Sequence, residues 1–250
     1  MSHSICLTSV GQSFSTKAMQ SSDSKKSAQK SSTKITLNQK SSTVNLFEQL
    51  NLTLNQGESY AITGPSGAGK SSLLMIASGL EQPTSGQVHY QQDGQNLPMS
   101  ALREGIGYIF QQFHLLPELN ALNNVALPLK LRGDKNAISK AKEILEQVGL
   151  AHRIEHMPSE LSGGEQQRVA IARALVFKPR FIFADEPTGN LDRKNAQEIA
   201  DTLFDCCHRY GAALVIVTHS DALAARATHR YGLDDGKLTA QVAAQFEQIA

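Results

Sequence analysis

The segment from Gly64 to Ser71 has the residue types and the spacing of a phosphate-binding loop. It fits the pattern G-x-x-x-x-G-K-[ST] at each fixed position. Glycines let consecutive backbone N–H groups turn toward an anion, while a lysine ammonium suits phosphate oxygens and a serine hydroxyl suits Mg²⁺. We expect a nucleotide to be bound by the eight residues of the pattern and the serine that follows, namely Gly64, Pro65, Ser66, Gly67, Ala68, Gly69, Lys70, Ser71 and Ser72.

The residues on either side of this loop predict the elements that would position it. Residues 60–63 are mostly apolar and favour a buried strand, and residues 72–77 favour a helix. A helix that begins at the loop would direct its positive N-terminal end at the phosphates. The alternative is an ordinary glycine-rich turn between a strand and a helix, which the Lys-Ser pair makes less favourable.

Two adjacent acids end a second apolar segment, Phe181–Glu186. Asp185 at the end of a strand can hold Mg²⁺, directly or through water. Glu186 can orient a water molecule for attack on a terminal phosphate. An ordinary acidic turn is the alternative, but the presence of Lys70 in the same chain favours the chemical interpretation.

A second predicted anion site lies at the start of the helix expected over residues 164–176. A hydroxyl and bare N–H groups would sit there at a positive helix end, as they do at the first loop. The residues concerned are Ser162, Gly163, Gly164, Glu165 and Gln166.

Composition restricts the class of protein. The chain has 250 residues, 40% of them hydrophobic, and a formal net charge of +1. No overall field therefore favours nucleic acid, and no nucleic-acid partner is expected. Apolar runs stay well below the about 20 residues of a membrane span, and the first residues lack the pattern of a secretion signal. Cys6, Cys206 and Cys207 have no metal-type spacing and are expected to be reduced thiols.

Alternating strand and helix patterns predict one α/β domain over residues 1–250. We expect the P-loop NTPase fold class, with a mostly parallel core sheet, an antiparallel β subdomain and a helical subdomain. The predicted catalytic core combines residues 61–111 with 161–239, and residues 112–160 are mainly helical. Residues 15–34, rich in Ser and Lys, are expected to form a flexible insertion. In the helical part, one apolar face is predicted from Ile138, Ala141, Ile144, Leu145 and Val148.

In the order of these motifs, the chain resembles the nucleotide-binding subunits of ATP-binding cassette (ABC) transporters. Gly64–Ser71 is similar to the Walker A loop, Ser162–Gln166 to the ABC signature and Phe181–Glu186 to the Walker B strand. Gln111, followed by Phe113-His114-Leu115-Leu116-Pro117, resembles the Q-loop. Asp192 in Gly-Asn-Leu-Asp resembles the D-loop, and His219 the switch histidine.

This resemblance implies an ATPase that works as a head-to-tail homodimer with ATP and Mg²⁺. Lys70, Gln111, Glu186 and His219 would be the catalytic residues, and Ser71, Gln111 and Asp185 would hold Mg²⁺. Ser162–Gln166 would act on the nucleotide that the partner subunit holds.

The family stacks adenine on an aromatic residue near the end of the first strand, and two positions compete for this role. Counting back from Gly64, as in relatives with a short loop, leads to Leu37, which stacks poorly. If residues 15–34 are an insertion, Phe14 takes the position, and we prefer it. The alternative is that Phe14 only packs and that base recognition is weak.

Within this family, the chain resembles the lipoprotein-release and macrolide-export branch, whose members are LolD- and MacB-like. Segments such as Asn120-Ala121-Leu122 and Leu131-Arg132-Gly133 look closest to YbbA-like proteins. The implied partner is a permease of the YbbP, LolC/E or MacB type, with the subunit at the cytoplasmic face of the inner membrane. The implied function is export or extraction of a lipid-linked or hydrophobic substrate. A regulatory or scaffolding ATPase without transport is the alternative, and a DNA-repair ATPase is disfavoured because long coiled-coil or zinc-type insertions are missing.

Overall fold

The computed structural model describes residues 2–16 and 42–241. Residues 17–34 of the predicted insertion and residues 35–41, where the second strand was expected to resume, lie outside this part. Residues 15 and 16, also assigned to the insertion, belong instead to the first strand.

The strands are β1 (His3–Thr16), β2 (Ser42–Asn55), β3 (Ser59–Thr63), β4 (Ser85–Gln92), β5 (Gln95–Leu97), β6 (Ile106–Ile109), β7 (Phe181–Asp185), β8 (Ala213–Val217), β9 (His229–Asp234) and β10 (Lys237–Gln241). The α-helices are α1 (Lys70–Ala77), α2 (Ala121–Leu131), α3 (Ala137–Gln147), α4 (Gly163–Leu175), α5 (Arg193–Tyr210) and α6 (Asp221–Ala224).

The central sheet is mostly parallel, as predicted. Among the described residues it has six strands in the order β10-β9-β3-β8-β7-β6. The five strands from β9 to β6 run parallel, and β10 is antiparallel to β9. Because parallel strands end at the same edge of a sheet, the residues that follow β3, β7 and β8 are brought together.

A second sheet is antiparallel and has the order β2-β1-β4-β5 over the described part of the chain. β1 pairs with β2 from Ser4↔Asn55 to Thr16↔Ser42, and with β4 from His3↔Gln92 to Gly11↔Ser85. Residues 85–97 therefore belong to this sheet and not to the α/β core, to which the sequence analysis assigned them. Hydrophobic alternation indicates a strand but does not identify the strand with which it pairs.

The stretch 112–160 is mainly helical, in α2 and α3 and two short 3-10 helices, Ala151–Arg153 and Pro158–Glu160. Ile138 departs from the predicted apolar face of α3, since it is 43% exposed. With 100° between successive residues, Ile138 lies at the edge of the helix face that Ala141, Ile144 and Leu145 form, and these three residues are buried.

The core strands are covered on both faces, which makes their ends stiff supports for side chains. In β7, Ile182 and Ala184 pack into the core shared with the helical part, while Phe181 and Phe183 pack into the core shared with the antiparallel sheet. This alternation is the two-residue period of a strand. The cysteines are all free. In the described ranges no helix has the length and apolar character that a membrane span requires.

Candidate nucleotide-binding and hydrolysis site

The predicted phosphate loop connects β3 to α1 directly. Gly64 follows the strand with φ +148°, and a Cβ at this position would lie 2.1 Å from the backbone oxygen of Leu233 in β9. Gly69 precedes α1 with φ +92°, in the left-handed region. Only glycine meets both demands, a positive φ and a close backbone neighbour, without strain. The loop therefore folds tightly against the sheet edge.

Lys70 is held inside this loop. Its side chain is 5% exposed, and Nζ donates hydrogen bonds to the backbone oxygens of Gly64 (2.9 Å) and Pro65 (2.8 Å). Burial lowers the pKa of Lys70, and the charges of Glu186 and Asp185 oppose that shift. The ammonium group is thus positioned where the loop would surround a phosphate.

Asp185 and Ser71 meet across the sheet edge. The Ser71 hydroxyl donates to Asp185 Oδ1 at 3.1 Å. Burial raises the pKa of Asp185, while the Ser71 hydrogen bond and the Lys70 charge act in the opposite direction. Both groups offer oxygen, the donor atom that Mg²⁺ prefers.

These donors fit Mg²⁺ shared with a nucleotide better than a metal held by protein alone. In the described part of the chain, no three His, Cys, Asp or Glu residues are grouped so that they could hold an ion. One carboxylate and one hydroxyl would hold the ion together with phosphate oxygens, water and the amide of Gln111. Mg²⁺ sites in phosphoryl-transfer proteins commonly have such a ligand set.

Glu186 has one carboxylate oxygen fixed and the other without a partner. Its N–H donates to the Val217 backbone oxygen at 2.9 Å, and φ is +46°. Oε2 accepts from the Thr218 hydroxyl (3.4 Å) and the His219 N–H (3.3 Å). Oε1 is buried and has no hydrogen-bond partner in the described ranges; His219 Nε2 lies 3.4 Å away, outside hydrogen-bond geometry. A buried acceptor of this kind is suited to binding and orienting a water molecule.

A cleft of about 660 Å³ lies at this edge of the sheet. Asp185 is not part of its wall and adjoins it through the hydrogen bond with Ser71. Its walls include residues of the phosphate loop together with Gln111, Glu186 and His219, and the catalytic roles of these residues stay predictions. His219 Nε2 also lies 3.3 Å from Lys70 Nζ. The walls further include Leu46, Gly189 and Val217.

The Ser162–Gln166 segment lies outside this cleft. Ser162 caps α4: its hydroxyl accepts from the Glu165 N–H at 3.3 Å, and Glu165 Oε2 accepts from the Ser162 N–H at 2.8 Å. Ser162, Gly164 and Glu165 line a separate hollow of about 360 Å³. Within one chain the two predicted phosphate sites are thus distinct surfaces.

Asp192 is placed at the start of α5. Its Oδ1 accepts from the N–H groups of Lys194 and Asn195, both at 3.0 Å, so it caps the helix. Asn195 also lies beside Gly164, since a Cβ added to that glycine would be 3.2 Å from Asn195 Oδ1. The predicted D-loop therefore adjoins the start of the signature helix.

Thr218 is a site residue that the sequence analysis missed. It is fully buried, and its hydroxyl contacts the Glu186 carboxylate. The available signal was a threonine between an apolar strand and His219, at the same sheet edge as Glu186, which directly follows β7.

Phe14 remains a candidate for adenine stacking. It pairs with Val44 across the β1–β2 hairpin and is 43% exposed. Leu46, two residues beyond Val44, lines the cleft, whereas Phe14 does not belong to its wall. Leu37, the other candidate, lies outside the described residues.

We expect Phe14→Ala to raise the KM for ATP several-fold with little change in kcat, because stacking on a base contributes about 1–3 kcal/mol. Steady-state hydrolysis over a range of ATP concentrations measures this. Val44→Ala is the matched control, since Val44 is 50% exposed and lies opposite Phe14. An unchanged KM in the Phe14 variant would remove this residue from the site.

Comparison with known proteins agrees with this geometry. Residues 47–189 match the family model described as ABC transporter. The chain is 50% identical over 198 residues to a lipoprotein-releasing system ATP-binding protein LolD of Geobacter metallireducens, covering 76% of this chain and 88% of that protein. It is 46% identical over 203 residues to LolD of Shewanella denitrificans, covering 78% of this chain and 86% of the relative. These relatives support the lipoprotein-release branch, and the finer resemblance to YbbA-like proteins stays a prediction.

Solved structures match over nearly the whole chain. One is a dimer of the ATP-binding cassette MJ0796 in a post-hydrolysis state bound to ADP and Pi, with 32% identity and a TM-score of 0.76. Another is the dimeric structure of MJ0796 described as a bacterial ABC transporter cassette, with 32% identity and a TM-score of 0.77. Each alignment covers 97% of this chain and 100% of the other. The chain therefore belongs to the ABC transporter family, as one of its ATP-binding and ATP-hydrolysing subunits.

Proposed function

We propose that this subunit hydrolyses ATP as a homodimer to drive a membrane permease that extracts or exports a lipid-linked substrate. The observation that carries the proposal is the cleft in which the phosphate loop, Glu186 and His219 meet, with Asp185 hydrogen-bonded to Ser71 in its wall. The 46–50% identity to LolD proteins supports lipoprotein release as the kind of transport.

The chemistry needs mostly positioning and neutralisation of charge. Lys70 and the N–H groups of the loop bind the β- and γ-phosphates. Ser71, Asp185 and Gln111 would hold Mg²⁺, which when bound neutralises charge on the phosphates. The free oxygen of Glu186 accepts a hydrogen bond from the attacking water, and Thr218 and the His219 backbone keep the other oxygen in place.

The separation of the two phosphate sites supports a head-to-tail dimer. A nucleotide in the cleft of one subunit leaves its γ-phosphate to be covered by Ser162 and Gly164 of a second copy. The dimers reported for MJ0796, at 32% identity, are consistent with this arrangement. Hydrolysis then depends on closure of the dimer, and closure is the mechanical output.

The partner proposed is a permease of the LolC/E type, with the MacB and YbbP types as alternatives, reached from the cytoplasmic face of the inner membrane. The region around Pro117 and Pro128 in and before α2 is the proposed contact. A regulatory ATPase that acts on a membrane protein without transport is the second candidate.

Reconstitution separates these functions. We expect ATP turnover to rise several-fold when the subunit is bound to a LolC/E-type permease in proteoliposomes that contain an acylated lipoprotein, and we expect the lipoprotein to be released. The same vesicles with the Glu186→Gln variant should release none. Stimulated turnover without release would favour the regulatory candidate, and turnover that no permease of the three types changes would contradict the proposal.

A further inference from the structure

Arg173, in the last turn of α4, reaches the backbone of the Q-loop. Its Nη1 donates to the His114 backbone oxygen at 2.6 Å, and its Nη2 donates to the Phe113 backbone oxygen at 2.8 Å. The planar fork of a guanidinium therefore spans two consecutive carbonyl groups, a geometry that a lysine cannot reproduce.

Arg173 is partly buried, and the partners that compensate its charge are unusual. Burial lowers the pKa of Arg173, and within residues 2–16 and 42–241 its side chain forms no ion pair with a carboxylate. Even partial burial of a charge is costly unless hydrogen bonds compensate it, and the two carbonyl groups are the main compensation for Arg173. The first of them belongs to His114, whose φ of +47° is a conformation that non-glycine residues rarely adopt.

The same short loop has a second external support near its start. Asn190, between Walker B and α5, donates from Nδ2 to the Gln111 backbone oxygen at 3.0 Å. Gln111 lines the cleft and is held through its own backbone, and it precedes the two residues whose carbonyl groups Arg173 binds. The start of α4 also adjoins the loop, because a Cβ on Gly163 would be 4.0 Å from the Phe113 ring.

We infer that Arg173 is a positioning residue that fixes the Q-loop so that Gln111 meets the Mg²⁺ end of the cleft beside Ser71 and Asp185. The helix that begins with the signature residues is thereby linked to the metal-binding edge of its own subunit. This inference rests on the proposed role of Gln111, since the loop geometry matters only if that side chain acts there.

Arg173→Lys is the test, because it keeps the positive charge and removes the two-pronged contact. Arg168→Lys is the matched control. Arg168 lies on the same helix and makes three hydrogen bonds, to the Val148 backbone oxygen (3.2 Å), Thr202 Oγ1 (3.0 Å) and Glu198 Oε2 (2.9 Å), none of them to the Q-loop.

The main readout is ATP binding with and without Mg²⁺, measured in the slow Glu186→Gln background by calorimetry. We expect Arg173→Lys to leave Mg²⁺-free ATP binding unchanged and to weaken binding in the presence of Mg²⁺ about 10-fold or more, because residues that hold a metal ligand in place typically contribute that much to metal affinity. Arg168→Lys should change both to the same small extent. Amide exchange across residues 111–117 should become faster only in the Arg173 variant.

A double substitution separates positioning from general stability. In a chain that already carries Gln111→Ala, Arg173→Lys should cause no further loss of Mg²⁺-dependent binding, because the side chain it positions is gone. If the effects of the two substitutions add, or if Arg173→Lys behaves like Arg168→Lys, the inference is wrong. A wild-type chain that does not hydrolyse ATP would instead refute the proposed function, so the two failures are distinguishable.

Discussion

Glu186→Gln is expected to slow ATP hydrolysis by about 10²- to 10⁴-fold, the usual contribution of a positioned general base. Glutamine keeps the size of the side chain and an acceptor oxygen, but it loses the negative charge that polarises the water. The phosphate loop is untouched, so ATP should still bind. Single-turnover hydrolysis and a separate ATP-binding measurement test the two parts of this expectation.

The Glu186→Gln variant should also accumulate a closed dimer, since the step that reopens it is slow. Cysteines introduced at Ser66 in the phosphate loop and Ser162 in the signature segment should then crosslink between subunits when ATP is present. Glu104→Gln, at an exposed position outside the cleft, is the control and should hydrolyse ATP normally. Fast hydrolysis by the Glu186 variant would exclude its water-orienting role, and absence of the crosslink would exclude the head-to-tail dimer.

Lys70→Ala should weaken ATP binding by roughly 10- to 100-fold, because a hydrogen bond to a charged group contributes about 1.5–3 kcal/mol. Removal of the side chain also takes away the two hydrogen bonds to Gly64 and Pro65 that close the loop. The loss should be larger for ATP than for adenosine, which has no phosphate to contact. Equilibrium binding of both ligands measures the difference.

A fold control is needed because Lys70 is almost fully buried. The melting temperature of the Lys70→Ala chain shows whether the loop or the whole domain has been lost. Lys135→Ala, at an exposed position between α2 and α3, should bind ATP like the wild type. A folded Lys70 variant with wild-type ATP affinity would contradict the phosphate-loop assignment.

Local patterns predicted the parts of the site in which a few adjacent residues specify both conformation and chemistry. The phosphate loop and the Asp185–Glu186 pair are of this kind, and both lie at ends of strands in the parallel sheet. Parallel strands that alternate with helices leave little freedom in where such ends meet, so the fold class itself brings the two strand ends to the same edge of the sheet.

Features that depend on distant partners could not be predicted in this way. The pairing of β4 with β1 joins segments far apart in the chain and places residues 85–97 in the antiparallel sheet. The contact of Thr218 with Glu186 and the contact of Arg173 with the Q-loop each join distant segments of the chain. The tertiary packing decides how closely these segments approach each other. The residues on either side of Arg173 in α4 are apolar, so the local sequence gives no sign of a polar contact. A basic residue in the last turn of a helix would usually be explained by its favourable interaction with the helix dipole alone.

The pairing of Thr16 with Ser42 at the open end of the β1–β2 hairpin bears on how the chain accommodates residues 17–41. Both ends of that segment are held on adjacent strands, so a change in its length changes the entropy of bringing those ends together. Each doubling of such a length costs about 0.6 kcal/mol. We therefore expect a longer or shorter segment between Thr16 and Ser42 to change the stability of the domain little and to leave the site at the ends of β3 and β7 intact.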